Sequence, residues 1–146
     1  MGDVEKVFEF AGTGRLGSLT VGASVCEVLG IMGTPDGVTG ELPAICAYGD
    51  LQLGFSGDGI LWHLAVEPSG LAMVLPSPIG SGDEATTPSM SEFMSHLRRK
   101  VERVVRCEPF VAGEYWWLIS GSGVLLSFDD QGFLVAAHRS DPSLVD

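Results

Sequence analysis

Three histidines and three cysteines are the residues of this chain best suited to catalysis or metal binding, and their spacing limits what they can do. Cys26, Cys46 and Cys107 stand far apart among apolar neighbours. A zinc site asks for close pairs such as C-x-x-C, and none is present. Three buried free thiols are therefore expected, in keeping with a reducing compartment. His63 and His138 fall in similar apolar runs. A catalytic or metal pair would need them to converge with carboxylates such as Asp50 or Asp129, and spacing alone gives only solvent-facing strand residues. His96 reads as a helix-surface residue. Cys46 as nucleophile with His63 as base fails on strand parity, which sets the two on opposite faces. No serine falls in a G-x-S-x-G elbow and no Gly precedes a Lys, as a phosphate-binding Walker loop requires. Gly12–Gly17, "GTGRLG", spells G-x-G-x-x-G but lacks the βαβ context that makes those letters a dinucleotide site. The expectation is a protein that is not an enzyme and uses no cofactor and no metal.

Charge narrows the partners. In 146 residues, 19 acidic side chains face 8 basic ones, a net charge of −11. Binding to nucleic acid through phosphates needs a basic stripe, and the single basic cluster, His96 to Arg106, itself contains Glu102. No apolar run approaches the ~20 residues of a membrane span, and the N-terminus has neither a basic segment nor an apolar one after it. No nucleic acid, no membrane and a cytoplasmic location are expected.

The elements that must position these residues come in two similar sets. Ser24-Val-Cys-Glu27 is a capping box, with Val25, Val28, Leu29 and Met32 following at helical spacing until Gly33 and Pro35 stop the helix. Ser89-Met-Ser-Glu92 repeats the box, and Met90, Phe93, Met94, Leu97, Val101, Val104 and Val105 predict a longer helix ending near Cys107. Three apolar runs follow each helix: Pro43–Tyr48, Leu51–Ser56 and Ile60–Glu67, then Glu114–Ser120, Val124–Asp129 and Phe133–His138. Gly-containing turns separate them, as in tight hairpins. A shift of 73 residues lays Leu53, Phe55, Gly59 and Leu61 on Leu126, Phe128, Gly132 and Leu134. The expected fold is α+β: one compact domain, 1–146, of two tandem helix-plus-antiparallel β-meander repeats, with the helices packed on one face. The repeats would span about 14–73 and 85–140, joined by a linker at about 76–88 that Leu71–Leu75 precedes as one further strand.

Turn geometry assigns faces, since opposed strand residues point to one side. With Asp58-Gly59 as a two-residue turn, Leu51, Leu53 and Phe55 join Ile60, Trp62, Leu64 and Val66 in the core. With Gln131-Gly132, Val124, Leu126 and Phe128 join Phe133, Val135 and Ala137. The opposite side then holds Ile45, Ala47, Gln52, Leu61, His63, Trp116, Leu118, Leu125, Leu134 and His138, which is too apolar for a face left in water. In "EYWWLI" neighbouring indoles must point opposite ways. Trp117, with Tyr115 and Ile119 at period two, takes the core, and Trp116 the outside.

The run "VGASVCEVLGIMGTPDGV…AYGDLQLGFSGDGILWHLAV" resembles a pattern of small bacterial proteins: G-x-S-x-x-E-V, then G-x-P, then Y-G-x-L-x-L-x-F. Gly22, Ser24, Glu27, Val28, Gly33, Pro35, Val38, Tyr48, Gly49, Leu51, Leu53 and Phe55 carry the match, over roughly Leu19 to Glu67. Small outer-membrane-assembly lipoproteins and cytoplasmic immunity-like proteins of toxin systems share the pattern. The doubled layout is similar to that of the β-lactamase-inhibitory proteins. The chain lacks a lipobox cysteine and the paired cysteines of a secreted inhibitor. What the resemblance implies is a protein-binding module, an immunity or inhibitor protein that blocks a toxin. Its partner would be another protein with a basic surface, met by Trp116, Leu118, Leu125, Leu134, His138, Leu61 and His63 inside a rim of Glu114, Asp129 and Asp130. Two alternatives stay open: a small-ligand protein with an apolar pocket between repeats, lined by Trp62 or Trp116, and an assembly subunit that forms a homodimer through its open face.

Overall fold

Every strand of the two meanders enters one antiparallel sheet. The computed structural model of the chain describes residues 2–99 and 103–145. Its elements are α1 (Asp3–Thr13), α2 (Val25–Met32), β1 (Gly37–Val38), β2 (Ala44–Tyr48), β3 (Leu51–Phe55), β4 (Leu61–Val66), β5 (Ala72–Val74), β6 (Glu84–Thr86), α3 (Met90–Arg99), β7 (Val104–Cys107), β8 (Tyr115–Ile119), β9 (Val124–Phe128) and β10 (Leu134–Ser140), then a short 3-10 turn, Pro142–Leu144. Eight strands lie in the order β1-β2-β3-β4-β10-β9-β8-β7, and β5-β6 form a separate two-stranded ribbon. The fold class is α+β, with one large antiparallel sheet.

The helices lie on one face of the sheet, because only one face is continuously apolar. Leu51, Leu53, Phe55, Leu61, Leu64, Val66, Ile119, Val124, Leu126 and Phe128 form that face, and all are buried. Val7 and Phe10 of α1, Val28 of α2, and Phe93 and Leu97 of α3 close over it, with Met73 and Leu75 of the ribbon side. Burying this apolar area is what holds the sheet and helices together.

The start of each helix is tied to a distant hairpin in the same way. The Ser24 hydroxyl accepts from Glu27 N–H at 3.2 Å, and Ser89 accepts from Glu92 N–H at 3.2 Å. The next residue of each helix donates its N–H to the hairpin glycine: Val25 to Gly59 O at 2.8 Å and Met90 to Gly132 O at 2.7 Å. Both glycines have left-handed φ, +76° and +85°, which a side chain there would resist. Around α2, the Tyr48 hydroxyl donates to Gly33 O at 2.7 Å and Asp36 accepts from Gly49 N–H at 2.7 Å. The G-x-P and Y-G letters are thus joined in space, fastening the end of α2 to the β2–β3 turn.

Four expectations change. Among the described residues the second helix covers Met90–Arg99, and Val104–Cys107, expected to be helical, is the edge strand β7, paired with Trp116–Ile119 of β8. Two adjacent β-branched valines can extend a helical stripe or pack on a sheet edge, and here the pairing prevails. Val101, which the expected helix included, lies outside the described residues. The expected linker holds strand β6, paired with β5. Ahead of both expected repeats stands a further helix, α1. Of the three free cysteines only Cys46 is buried; Cys26 is exposed and Cys107 intermediate.

The fifth change concerns the faces. The hairpins turn over three residues in place of two, with Ser56 N–H bonded to Ile60 O and Asp129 N–H to Phe133 O, both at 2.9 Å. A β-bulge follows each turn: Phe55 lies opposite Leu61 and Gly54 opposite His63, leaving Trp62 as the extra residue. Likewise Phe128 opposes Leu134 and Ser127 opposes Ala136, leaving Val135 extra. Leu61 and Leu134 are consequently core residues, 0% and 3% exposed, and are not available to a partner. Ile60, Trp62, Phe133 and Val135 leave the core for intermediate positions. Beyond the bulge the extra residue restores the expected parity, so Leu64, Val66 and Ala137 are buried as anticipated.

Candidate functional site

Among the described residues, no α-helix packs on the second face of the sheet. Its centre is the seam where β4 meets β10, with His138 opposite Ala65 and Ser140 opposite His63. Small residues floor it: Gly54, Ala65, Ser127 and Ala136 are all buried. They are shielded by larger neighbours, because Trp62, His63, Leu118, Leu125 and His138 rise around them, each half-buried. The result is an apolar, aromatic surface with a low middle and higher surroundings.

The two histidines meet on this seam. Their ring centroids are 5.5 Å apart, and the Trp62 ring lies 5.5 Å from that of His63. His63 Nδ1 is 2.6 Å from Ser140 Oγ, a hydrogen bond whose donor depends on the imidazole tautomer. His138 Nδ1 is buried without a hydrogen-bond partner. Burial lowers the affinity of both rings for a proton, and for His63 the neighbouring His138 lowers it further. Two neutral imidazoles on an apolar floor add flat, weakly polar contact area. Among the described residues no group of three His, Cys, Asp or Glu is placed to hold a metal ion.

Toward β8 the surface rises to an aromatic ridge. Trp116 points to the open face, opposite Ser127, and its indole N–H donates to Glu114 Oε1 at 2.8 Å. Phe110 stands edge-on to it, centroids 5.2 Å apart, and is 92% exposed. Trp117 packs against the core from the other side, but its indole nitrogen is buried with no partner.

Of the residues expected to meet a partner, Trp116, Leu118, Leu125, His63 and His138 are together on this face, and Glu114 is bonded to Trp116. Leu61 and Leu134 are on the other side in the core. Asp129 is engaged in its own turn, accepting from Gln131 N–H at 3.0 Å and Phe133 N–H at 2.9 Å, while Asp130 beside it is exposed. Phe110 and Trp62 were not foreseen here. An apolar triplet, Phe110-Val-Ala112, set between Glu108-Pro109 and Gly113-Glu114, was the available sign of an apolar loop tip. Tyr115, expected in the core, is 37% exposed, with the Arg106 guanidinium 5.8 Å from its ring centre. No helix among the described residues is long and apolar enough to cross a membrane. Comparison with known protein families, with curated proteins and with solved structures finds no match.

Proposed function

We propose that this protein is a non-enzymatic binding module, built from two copies of one helix-and-meander unit, whose uncovered sheet face grips a basic surface of another protein in the manner of an immunity or inhibitor protein. The observation that carries the reading is the open face itself: Trp62 stands against the paired histidines, Phe110 stands against Trp116, and among the described residues no α-helix packs on that face. Interfaces draw their energy from such buried aromatic anchors, and a net charge of −11 would speed encounter with a cationic partner. The resemblance of Leu19–Glu67 to immunity-like proteins supports the class of partner, a toxin domain. The matching cap-to-hairpin bonds and the bulge at Trp62 and Val135, 73 positions apart, support the duplication.

The test is binding to the product of the adjacent gene, measured by surface plasmon resonance from ~20 to ~500 mM salt. The expected result is an association rate that falls steeply with salt, and a Trp116→Ala variant that binds at least ~10-fold more weakly while melting within a few degrees of wild type. Association indifferent to salt, or unaffected by Trp116→Ala, overturns the reading.

A further inference from the structure

One acidic side chain on the open face has no counterpart. Strand β4 ends at Val66, but its ladder runs one residue further, with Glu67 N–H donating to Asp50 O at 2.8 Å. Glu67 therefore stands two places beyond Ala65 and four beyond His63, on the same side of the sheet. The register continues across three more strands. Val66 opposes Ala137, which sets Glu67 beside Ala136; Ala136 opposes Ser127, and Ser127 opposes Trp116. Glu67, Ala136, Ser127 and Trp116 thus form one row across β4, β10, β9 and β8.

The row is a trough with unlike ends. Its two middle positions are small and buried, Ala136 8% and Ser127 6% exposed. At a strand spacing of about 4.8 Å they separate the Glu67 and Trp116 backbones by roughly 14 Å. Leu118, Leu125 and His138 of the next row rise along one flank. The indole at one end is held by its hydrogen bond to Glu114, and the carboxylate at the other is half-buried.

Among the described residues the Glu67 carboxylate accepts no hydrogen bond and forms no ion pair. Of the titratable groups in adjoining positions, His138 is diagonal to it on β10, and burial lowers that ring's affinity for a proton. The Asp50 carboxylate is taken up by Ser69 Oγ–H and Val74 N–H, and Arg139 of β10 lies on the other side of the sheet, bonded to Ser122 O. Burial pushes the Glu67 carboxyl up, as it does any carboxylate partly taken from water with no cation to balance it.

Such a charge is unfavourable to the folded chain, and a cation brought by another molecule removes that cost. The trough decides which cation fits. Its floor offers apolar contact to an extended stem, and the carboxylate offers a planar, two-point acceptor at the end. A guanidinium is more weakly hydrated than an ammonium, so arginine suits a half-buried site better than lysine.

We propose that Glu67 is the specificity-determining residue of the open face, receiving the guanidinium of one partner arginine with its stem laid over Ala136 and Ser127. This rests on the open face being a protein-binding surface, and it narrows the basic surface expected there to one side chain at one place.

The test does not depend on knowing the partner. Nα-acetyl-arginine amide is titrated to ~100 mM, at constant ionic strength, into the isotope-labelled full chain, and NMR follows the Glu67 carboxyl carbon and the Ala136 amide. Nα-acetyl-citrulline amide, its uncharged counterpart, is the control. The expected result is a saturable shift at both positions, at least ~5-fold smaller with the citrulline compound. The Glu67 carboxyl should also titrate at lower pH once arginine is bound. Glu67→Gln should lose the Ala136 response yet melt no lower than wild type at pH 7, since it removes a charge and no bond. A shift that never saturates, an equal response to the citrulline compound, or one as large at the exposed Asp130 overturns the proposal. So does an Ala136 response that survives Glu67→Gln. In binding to the adjacent gene's product, Glu67→Gln equal to wild type beside a weakened Trp116→Ala removes the role of Glu67 and leaves the face a binding surface. A saturable arginine response at Glu67 beside a partner indifferent to Trp116→Ala sustains the slot and sinks the wider reading.

Discussion

At the scale of single residues, the two adjacent tryptophans divide the energetics of the molecule. Trp117→Ala would open a void against Leu126 and Met94 and should cost about 3 kcal/mol of unfolding free energy, read from a denaturant melt. Trp117→Phe should recover most of that, since the indole N–H it removes has no partner to lose. The histidine seam has its own signature. Both rings bind a proton less readily in the folded protein than at the ordinary value of about 6.5. Below that pH the unfolded chain takes up protons that the native seam refuses, so this contribution is intact above about 6.5 and is lost as the pH falls through the folded values. The measurement is the difference in melting temperature between wild type and His138→Gln at pH 7.5 and at pH 5. The variant should lose less on acidification, and equal losses would mean the seam does not titrate as described.

Elements show where sequence patterns suffice and where they fail. Both capping boxes were legible because the N-cap hydrogen bond is local to four residues. The three strands of each meander were legible from apolar alternation, to within a residue or two. Leu61 and Leu134 were assigned to the wrong side because a bulge is a pairing event: no letter at Trp62 or Val135 announces that the partner strand will skip it. The helix drawn through Val104 failed for a similar reason, since β7 exists only through Trp116–Ile119. The bulge makes a contrast that a two-residue turn would invert. Leu134→Ser should cost several kcal/mol (about 3 for the lost side chain, more for the hydroxyl left in the core). Val135→Ser should change the melt by less than ~1 kcal/mol. The reverse order would place Val135 inside.

For the molecule as a whole, the open face was legible as a surplus of apolar outward positions. The Phe110 ridge was not, because it depends on how loops settle on the sheet. Helix α1 was missed because its partners are remote in sequence. Its buried Val7, Phe10 and Ala11 pack toward β9, α3 and β6, and Phe8 meets the Phe93 ring edge-on at 4.8 Å. Ser122 Oγ donates to Ala11 O at 2.6 Å, and Arg139 Nη1 to Ser122 O at 2.6 Å, fixing the end of α1 to the second half of the sheet. Removing residues 1–13 should therefore strip hydrogen-exchange protection from β8 and β9 before β2 and β3, and uniform loss would contradict that packing. The same arrangement bears on how the chain is made. Helix α1 leaves the ribosome well before its seat, Phe93 and strand β9, and it carries an apolar stripe. Until β9 has emerged, α1 lacks a main part of its seat. Helix α1 must then wait, accessible to chaperone and protease alike, while the first meander is already free to close.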